Sequence, residues 1–508
     1  REVSEIFKQV LGLSRVGVND DFFELGGHSL LATQVIARVR EALGVEVALK
    51  ELFEQPTVAG VAARVDNGGG EGIPPITRVG RDIPLPLSYP QERIWFICQL
   101  DPQNVSYNVP RVLRLKGRLS LELLERTVTE LMRRHEILRT TFPSVEGRPV
   151  QLVHAPTTYR MSVADLSGLD EQEREQELMR VIEAESRRVF DLEAGPLLRL
   201  LLVRMGPFEQ VLVLVEHHLI HDGWTQGVLV RDVMAIYGAY AEGKPSPLEE
   251  LEVQYGDFAA WQRQWVSGEV MSRQLEYWRR QLEGARGLLE LPADRVRPAV
   301  ASGRGGEQIL EVSGELGGRL RELSREQGAT LFQVMLAGFK VMLNRYSGEQ
   351  DILVGTGIAN RRRRETEGLL GMIINTQVLR TDLGGDPSFE ELVGRVREVT
   401  LGAYENQDVP FDRVVEELGP ERSLSYNPIA QVFFTFFDVP MEEMRLPGIE
   451  IEEIEAHNRS AKFDLGVIVL LPSEQRVGLG GVEQPGEIRI VFEYSTDLYE
   501  EETIRRMM

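Results

Sequence analysis

The sequence predicts two folded units of different class, a small four-helix bundle followed by a larger α/β segment in two lobes. Three observations predict this. Apolar residues recur at helical spacing through residues 1–65. The stretch Asp66–Asp82 (DNGGGEGIPPITRVGRD) then breaks all periodicity with five glycines and two prolines. From Ile83 onward, short unbroken apolar runs alternate with amphipathic stretches.

Within the first unit, Ile6, Val10 and Leu13 share one helical face, and Leu31, Val35, Val39 and Leu43 recur every fourth residue. A short segment covers Leu49–Phe53. Pro56-Thr57 then opens a helix bearing Val58, Val61 and Val65, with the Thr57 hydroxyl suited to cap a free N–H of the first turn. Four helices joined by short connections make a bundle. The 17 residues of Asp66–Asp82 span at most roughly 55–60 Å, and roughly 20–25 Å as a flexible coil. They are expected to tether the bundle without fixing one orientation.

In the second unit, Val211–Val215 (VLVLV), Ile352–Gly355 and Gln431–Phe437 read as buried strands. Leu121–His135, Glu171–Arg188, Leu316–Gln327 and Thr330–Tyr346 read as helices. The expected domains are 1–65, a linker at 66–82, a first lobe at 83–260 and a second at 261–508.

With 508 residues, 42% hydrophobic and 27% charged, the chain is of globular type. It has no apolar run of membrane-spanning length, and its first residues do not read as a secretory leader, so none is expected. The single cysteine, Cys98, cannot form an internal disulfide, so a cytoplasmic location is expected. A net charge of −22 argues against nucleic-acid or anionic-membrane partners, which need basic surfaces. The run Arg361–Arg364 is the exception, and it reads as a solvated face or local salt-bridge network in preference to a phosphate site. Arg1 is not an initiator methionine and Glu501–Met508 resembles a helix stopped partway, so the chain is expected to be a piece of a longer polypeptide.

Two motifs bear chemistry. In Asp20–Leu31 (DDFFELGGHSLL), two glycines precede Ser29 at the start of an amphipathic helix. A helix N-terminus favours a phosphate on that oxygen, although composition alone would make Ser29 a helix cap. The stretch DDFFELGGHSLLATQVIARVREALG is similar, nearly residue by residue, to peptidyl carrier domains of nonribosomal peptide synthetases. The resemblance implies that Ser29 is the attachment point for 4′-phosphopantetheine. It also implies that His28 and the glycines serve recognition by a phosphopantetheinyl transferase and neighbouring domains.

The second motif is Glu216-His217-His218-Leu219-Ile220-His221-Asp222-Gly223-Trp224, directly after the VLVLV run. It gathers three of the chain's seven histidines within five residues. A metal site finds ligand types in His217, His221 and Asp222 but no second cluster to complete it. His217 reads as a packed, hydrogen-bonded residue and Asp222 as the partner of a buried base. His218 is the candidate proton acceptor, since imidazole titrates near neutrality.

HHLIHDGWT resembles the HHxxxDG motif of condensation domains, which share a two-lobed fold with chloramphenicol acetyltransferase. Other stretches resemble that family's motifs in order: Ser88–Trp95 (SYPQERIW), Arg134–Phe142 (RHEILRTTF), Tyr255–Gln262 (YGDFAAWQ), Gly371–Arg380 (GMIINTQVLR), Asn406–Asp412 (NQDVPFD) and Arg422–Val432 (RSLSYNPIAQV). Ile374 and Asn406 depart mildly from the pattern.

The resemblance implies amide formation between two carrier-bound thioesters, with the upstream carrier delivering an L-configured donor. His218 would act as base or as a positioning and stabilising group. Asp222 would hold the loop, Gly223 would allow close backbone approach, and Arg93 would frame the site. Implied partners are an upstream adenylation domain, a downstream aminoacyl carrier and its adenylation domain. Rival readings are a heterocyclisation domain, contradicted by His217-His218, and an epimerisation domain, disfavoured by the DGWT ending. A partner-recruiting condensation-like domain would usually lack His218, and a coenzyme A-dependent acyltransferase would not need the fused carrier.

Overall fold

A computed structural model describes residues 1–27, 29–45, 47–66, 73–420, 423–437, 444–471 and 487–508, with the backbone alone for Ser29 and Leu30. His28, the start of the last motif at Arg422, and linker residues 67–72 lie outside the described residues.

Among the described residues, the first unit folds as the helices Glu2–Leu11, Ser29–Leu43, Leu49–Glu54 and Val58–Asp66. Gly12, at φ 66°, ends the first helix in the left-handed conformation, so Leu13 lies beyond the face expected to include it. The Thr57 hydroxyl accepts the Gly60 N–H at 3.0 Å, capping the last helix. Phe7, Phe22, Val35, Val39 and Leu52 are fully enclosed, and the Phe7 and Phe22 rings meet edge to face at 5.3 Å.

The remainder is organised on two large sheets. The first has strand order Ile449–Ile454, Asn108–Gly117, Glu209–His217, Leu198–Gly206, Ser162–Asp165. The VLVLV run lies inside Glu209–His217, paired antiparallel on both sides. That position explains its unbroken apolar character. The second sheet runs Asn375–Asp382, Asp351–Ile358, Val432–Phe437, Leu465–Leu470, Ile488–Ser495, Gly305–Val312. Its middle pairs are parallel and its outer pairs antiparallel. The helices expected near residues 121, 171, 316 and 330 form as Leu121–Arg134, Glu171–Ser186, Gly314–Glu326 and Leu331–Ser347.

A division at residue 260 does not separate the sheets. The helix Tyr255–Trp265 runs across it. Ile449–Ile454, far along the chain, pairs antiparallel with Asn108–Gly117 and covers an edge that would otherwise present unpaired backbone groups. Local periodicity says nothing about such an exchange, because a strand pattern does not name its partner.

The bundle rests against the second lobe. Leu401, from the helix Phe389–Glu405, is buried in the bundle's own core cluster. Arg40 donates to the Arg362 carbonyl at 3.0 Å, Arg364 pairs with Glu41, and Lys50 lies 4.0 Å from Glu405. No helix of the described residues is long and apolar enough to cross a membrane.

The second half of the linker is anchored, contrary to the expectation of a free tether. Arg363 donates to the Ile73 and Pro74 carbonyls, and the Trp261 indole donates to the Pro74 carbonyl at 2.8 Å. The Val79 N–H donates to Asp257 at 2.9 Å, and Arg81 pairs with Asp257 and Glu136. Hydrogen bonds from a charged donor contribute about 1.5–3 kcal/mol. Arg363→Ala is therefore expected to speed limited trypsin cleavage at Arg78 and Arg81 by about tenfold, read by mass spectrometry. Unchanged cleavage kinetics would show that Arg363 does not hold this segment.

Candidate active site between the lobes

The strand Glu209–His217 empties into the short 3-10 turn His218–Ile220, and the helix Gly223–Ala241 begins immediately after Asp222. His217 is buried at the strand end. Its Nδ1 accepts the Leu219 N–H at 3.2 Å. The ring proton therefore sits on Nε2, which faces the Cys98 sulfur at 3.8 Å. Burial, aided by Arg199 and Lys462, pushes the His217 pKa down to about 3, so the ring is neutral at physiological pH.

His218 is held through its backbone, whose N–H donates to the Tyr107 carbonyl at 2.8 Å. Its Nδ1 is buried with no hydrogen-bond partner among the described residues, and the residue lines a cavity between the lobes. Burial, then the charge of Lys462 and the neighbouring His221, holds its pKa well below the ordinary histidine value. His221 bonds through Nδ1 to Glu216 at 3.0 Å.

Asp222 points away from this chemistry. One oxygen accepts the Thr225 N–H and hydroxyl, both at 2.9 Å, capping the helix. The other accepts the Ile373 N–H at 3.0 Å. Arg361 lies 3.1 Å from both oxygens and also donates to the carbonyls of Thr366, Leu369 and Gly371. The buried base expected for Asp222 is thus the first residue of the arginine run. A solvated face does not describe Arg361, which is 2% exposed. Gly223 has a steric reason: a Cβ there would stand 2.5 Å from the Phe437 ring of the second sheet. Arg93 lines the cavity, 3.7 Å from Asp412 and over the Phe411 ring, so it bridges the lobes near the opening.

Several scattered sequence motifs converge on one network. The Tyr255 hydroxyl meets Ser88 at 2.8 Å and donates to the Met372 carbonyl at 2.7 Å. Gly371 N–H donates to the Thr225 hydroxyl at 3.1 Å. Gly371 has φ 133° and presses so closely on the Tyr255 ring that a Cβ would stand 2.0 Å from it. Asn375 donates to the Gln407 and Val409 carbonyls, both at 2.8 Å. The motif around Arg134 is elsewhere: Arg134 and His135 enclose the fully buried Asp232, at 3.0 and 2.9 Å.

The cavity has a volume of about 520 Å³. One wall is aromatic, with Phe433 and Phe463 stacked at 4.4 Å. Lys462 and Glu493 also face it, as does Tyr107, and no sequence motif singled out these three. Thr33 and Leu49 of the helical bundle line the same cavity, so the bundle sits at its mouth. Thr33 lies one turn along the helix that Ser29 opens. The preceding glycines fit a phosphopantetheine attachment corner. Gly26 has φ 94°, and a Cβ on Gly27 would stand 2.3 Å from the Phe22 ring, so the chain turns tightly just before Ser29. No group of three potential metal ligands occurs among the described residues.

Residues 84–508 match the family model for the condensation domain. The chain belongs to the condensation-domain family. Ahead of this condensation domain, residues 1–65 match the phosphopantetheine attachment site. The pair is 44% identical to linear gramicidin synthase subunits C and B of Brevibacillus parabrevis over 99% of its length, but spans only 6% and 10% of theirs. Among solved structures, it is similar to the X-domain from teicoplanin biosynthesis at 27% identity and TM-score 0.77. That match covers 85% of this chain and 94% of the X-domain. Condensation domains of nonribosomal peptide synthetases form amide bonds between carrier-bound substrates.

The Asp222–Arg361 pair generates a stability prediction. Arg361→Ala leaves a buried carboxylate unpaired and is expected to cost about 3–5 kcal/mol. Asp222→Asn should cost less, because Arg361 keeps three carbonyl partners. Denaturant unfolding of both variants checks this, and equal or reversed losses would contradict the pairing as the dominant contact.

Proposed function

We propose that this condensation domain forms a peptide bond in which the donor acyl group is held on the Ser29 arm and the acceptor is the α-amine of a downstream aminoacyl thioester. The observation behind this reading is that Thr33 and Leu49 of the carrier line the same cavity as His218. Bound at Ser29, 4′-phosphopantetheine supplies the thiol that bears the acyl group. The acceptor nitrogen adds to the donor carbonyl carbon, the C–S bond breaks, and the amine proton ends on the departing sulfur. A free α-amine titrates near pH 8, so part of it is already neutral and no strong base is required.

His218 accepts a hydrogen bond or the proton from that amine as the bond forms. It can do so because its ring is uncharged near neutrality, its pKa lowered chiefly by burial. His217 and Asp222 are positioning residues. The former packs the strand end against Cys98, and the latter fixes the turn through Arg361 and Ile373. Gly223 lets Phe437 close over the helix start, and Arg93 with Asp412 frames the opening.

Upstream and downstream adenylation domains, a downstream aminoacyl carrier and a phosphopantetheinyl transferase are the proposed partners, in the cytoplasm. The relatives' names as synthetase subunits and the carrier–condensation order support this.

Ser29 is expected to be the single loading site. Incubation with coenzyme A and a broad-specificity phosphopantetheinyl transferase should add one prosthetic group by intact mass, and Ser29→Ala should add none. A loaded Ser29→Ala variant would refute the assignment.

His218→Ala should lower amide formation by about a hundredfold or more while leaving loading and melting temperature intact. The same assay tests stereochemistry. Inverting the donor α-carbon displaces the carbonyl by about an ångström, which can cost about a hundredfold, so an L-terminated donor on Ser29 should outpace its D counterpart. Equal rates or a D preference would overturn the L-donor assignment.

A further inference from the structure

The sequence motifs leave unused a cation beside His218. Lys462 precedes the strand Leu465–Leu470 and projects into the cavity from the second lobe. Its ammonium lies 5.8 Å over the Tyr107 ring. Tyr107 in turn stands edge-on to His218, with ring centroids 6.3 Å apart, and its carbonyl holds the His218 backbone. The Lys462 main chain is pinned on both sides. Its N–H donates to Glu493 at 3.3 Å, and its carbonyl accepts the Asn427 amide at 2.6 Å. The ammonium itself has no ion-pair or hydrogen-bond partner among the described residues. Lys462 is half-buried beside the cavity, and an ammonium there is placed to meet an anion that arrives during the reaction.

We infer that Lys462 is a catalytic residue whose ammonium stabilises the negative charge that builds on the donor carbonyl oxygen as the acceptor amine adds. This rests on the peptide-bond-forming function proposed above. In the addition the carbonyl π pair moves onto oxygen, and it returns when the C–S bond breaks, so Lys462 neither gives nor keeps a proton. A cation in a cavity walled by Phe433, Phe436 and Phe463 is screened less than in water, so its charge acts more strongly on a developing oxyanion.

The same charge has a second effect. The groups around His218 are His217, His221 and Glu216 on its own segment, Tyr107 beside it, Arg93 and Asp412 at the opening, the Asp222–Arg361 pair behind the turn, and Lys462 with Glu493 from the second sheet. Lys462 contributes to holding His218 unprotonated, after burial. The Glu493 carboxylate, beside His457 and Lys462, is held below the usual carboxyl range even though burial opposes this. Burial lowers the Lys462 pKa from the ordinary lysine value, and the negative charge of Glu493 opposes that lowering and favours the ammonium.

The test uses the full chain, loaded at Ser29 with an L-dipeptidyl group and supplied with an aminoacyl N-acetylcysteamine thioester as acceptor. Lys462→Met is expected to lower kcat by about a hundredfold with KM changed less than about threefold, and Lys462→Arg to recover most of the loss. Lys462→Gln, which keeps length and polarity without charge, should behave like Lys462→Met. Independently of turnover, isotope-labelled histidine titrated by NMR in the unloaded protein should show the His218 pKa rising in Lys462→Met. A kcat within about threefold of wild type in Lys462→Gln, or an unmoved His218 titration, would overturn the inference. If the wild type itself makes no amide from these substrates, the proposed function fails, and the histidine titration alone decides whether Lys462 acts on His218.

Discussion

Asp222 and Arg361 meet where the two lobes touch, and neither side chain reaches water to any useful extent. Each would be costly to bury alone. Together they fix three things: the start of the helix Gly223–Ala241, the strand-to-helix turn bearing His218, and the second-lobe segment from Thr366 to Ile373. Replacing such a pair with apolar residues is often neutral for stability. What an apolar pair could not supply is direction. The carboxylate accepts from a helix N-terminus and from Ile373, and the guanidinium donates to several carbonyls, so only one relative placement satisfies every group. The distance across the active cavity is set by that satisfaction.

The cavity joins groups that would be weak in isolation. Burial makes both motif histidines neutral, and for His217 the unprotonated Nδ1 is already committed to the Leu219 N–H. The buried strand that ends in them supplies the desolvation. The sheet lies on one side of His217, and Tyr107 and Cys98 lie on the other. Second-lobe phenylalanines close the opposite wall, and a carrier helix reaches the mouth. The cavity is therefore lined by the histidine motif from the first lobe, by phenylalanines and Lys462 from the second, and by Thr33 and Leu49 from the helical bundle.

Parts of this were legible along the chain because their physics is local. Val211–Val215 is apolar throughout since both neighbours in the sheet are strands, and that shows in five consecutive residues. Thr57 caps a helix three residues before Gly60, and a capping residue is recognisable without any tertiary contact. The histidine motif, Ser29 and the glycine corner were likewise readable as residue types at fixed short spacing.

Other parts depended on pairings across hundreds of residues. Arg361 reads as one of four consecutive charges, on a solvated face or in a local salt-bridge network, and only the placing of Asp222, Leu369 and Gly371 around it decides for the buried network. Ile449–Ile454 alternates like any edge strand, and only its register against Asn108–Gly117 assigns it to the first lobe. Lys462 and Glu493 sit on different strands of the second sheet, and neither has a sequence neighbour that hints at His218. The linker's prolines and glycines signalled a chain break, but the anchoring by Arg363 and Trp261 is a long-range match of donors to carbonyls. The sequence by itself determined the two domain types, the capped helices and the buried strand that ends in the histidine motif, since propensity, capping and periodicity act within a few residues. Only the tertiary structure decided which charges are buried, which lobe owns each strand and which cation faces His218, because electrostatic and packing free energies depend on distance in space and not on distance along the chain.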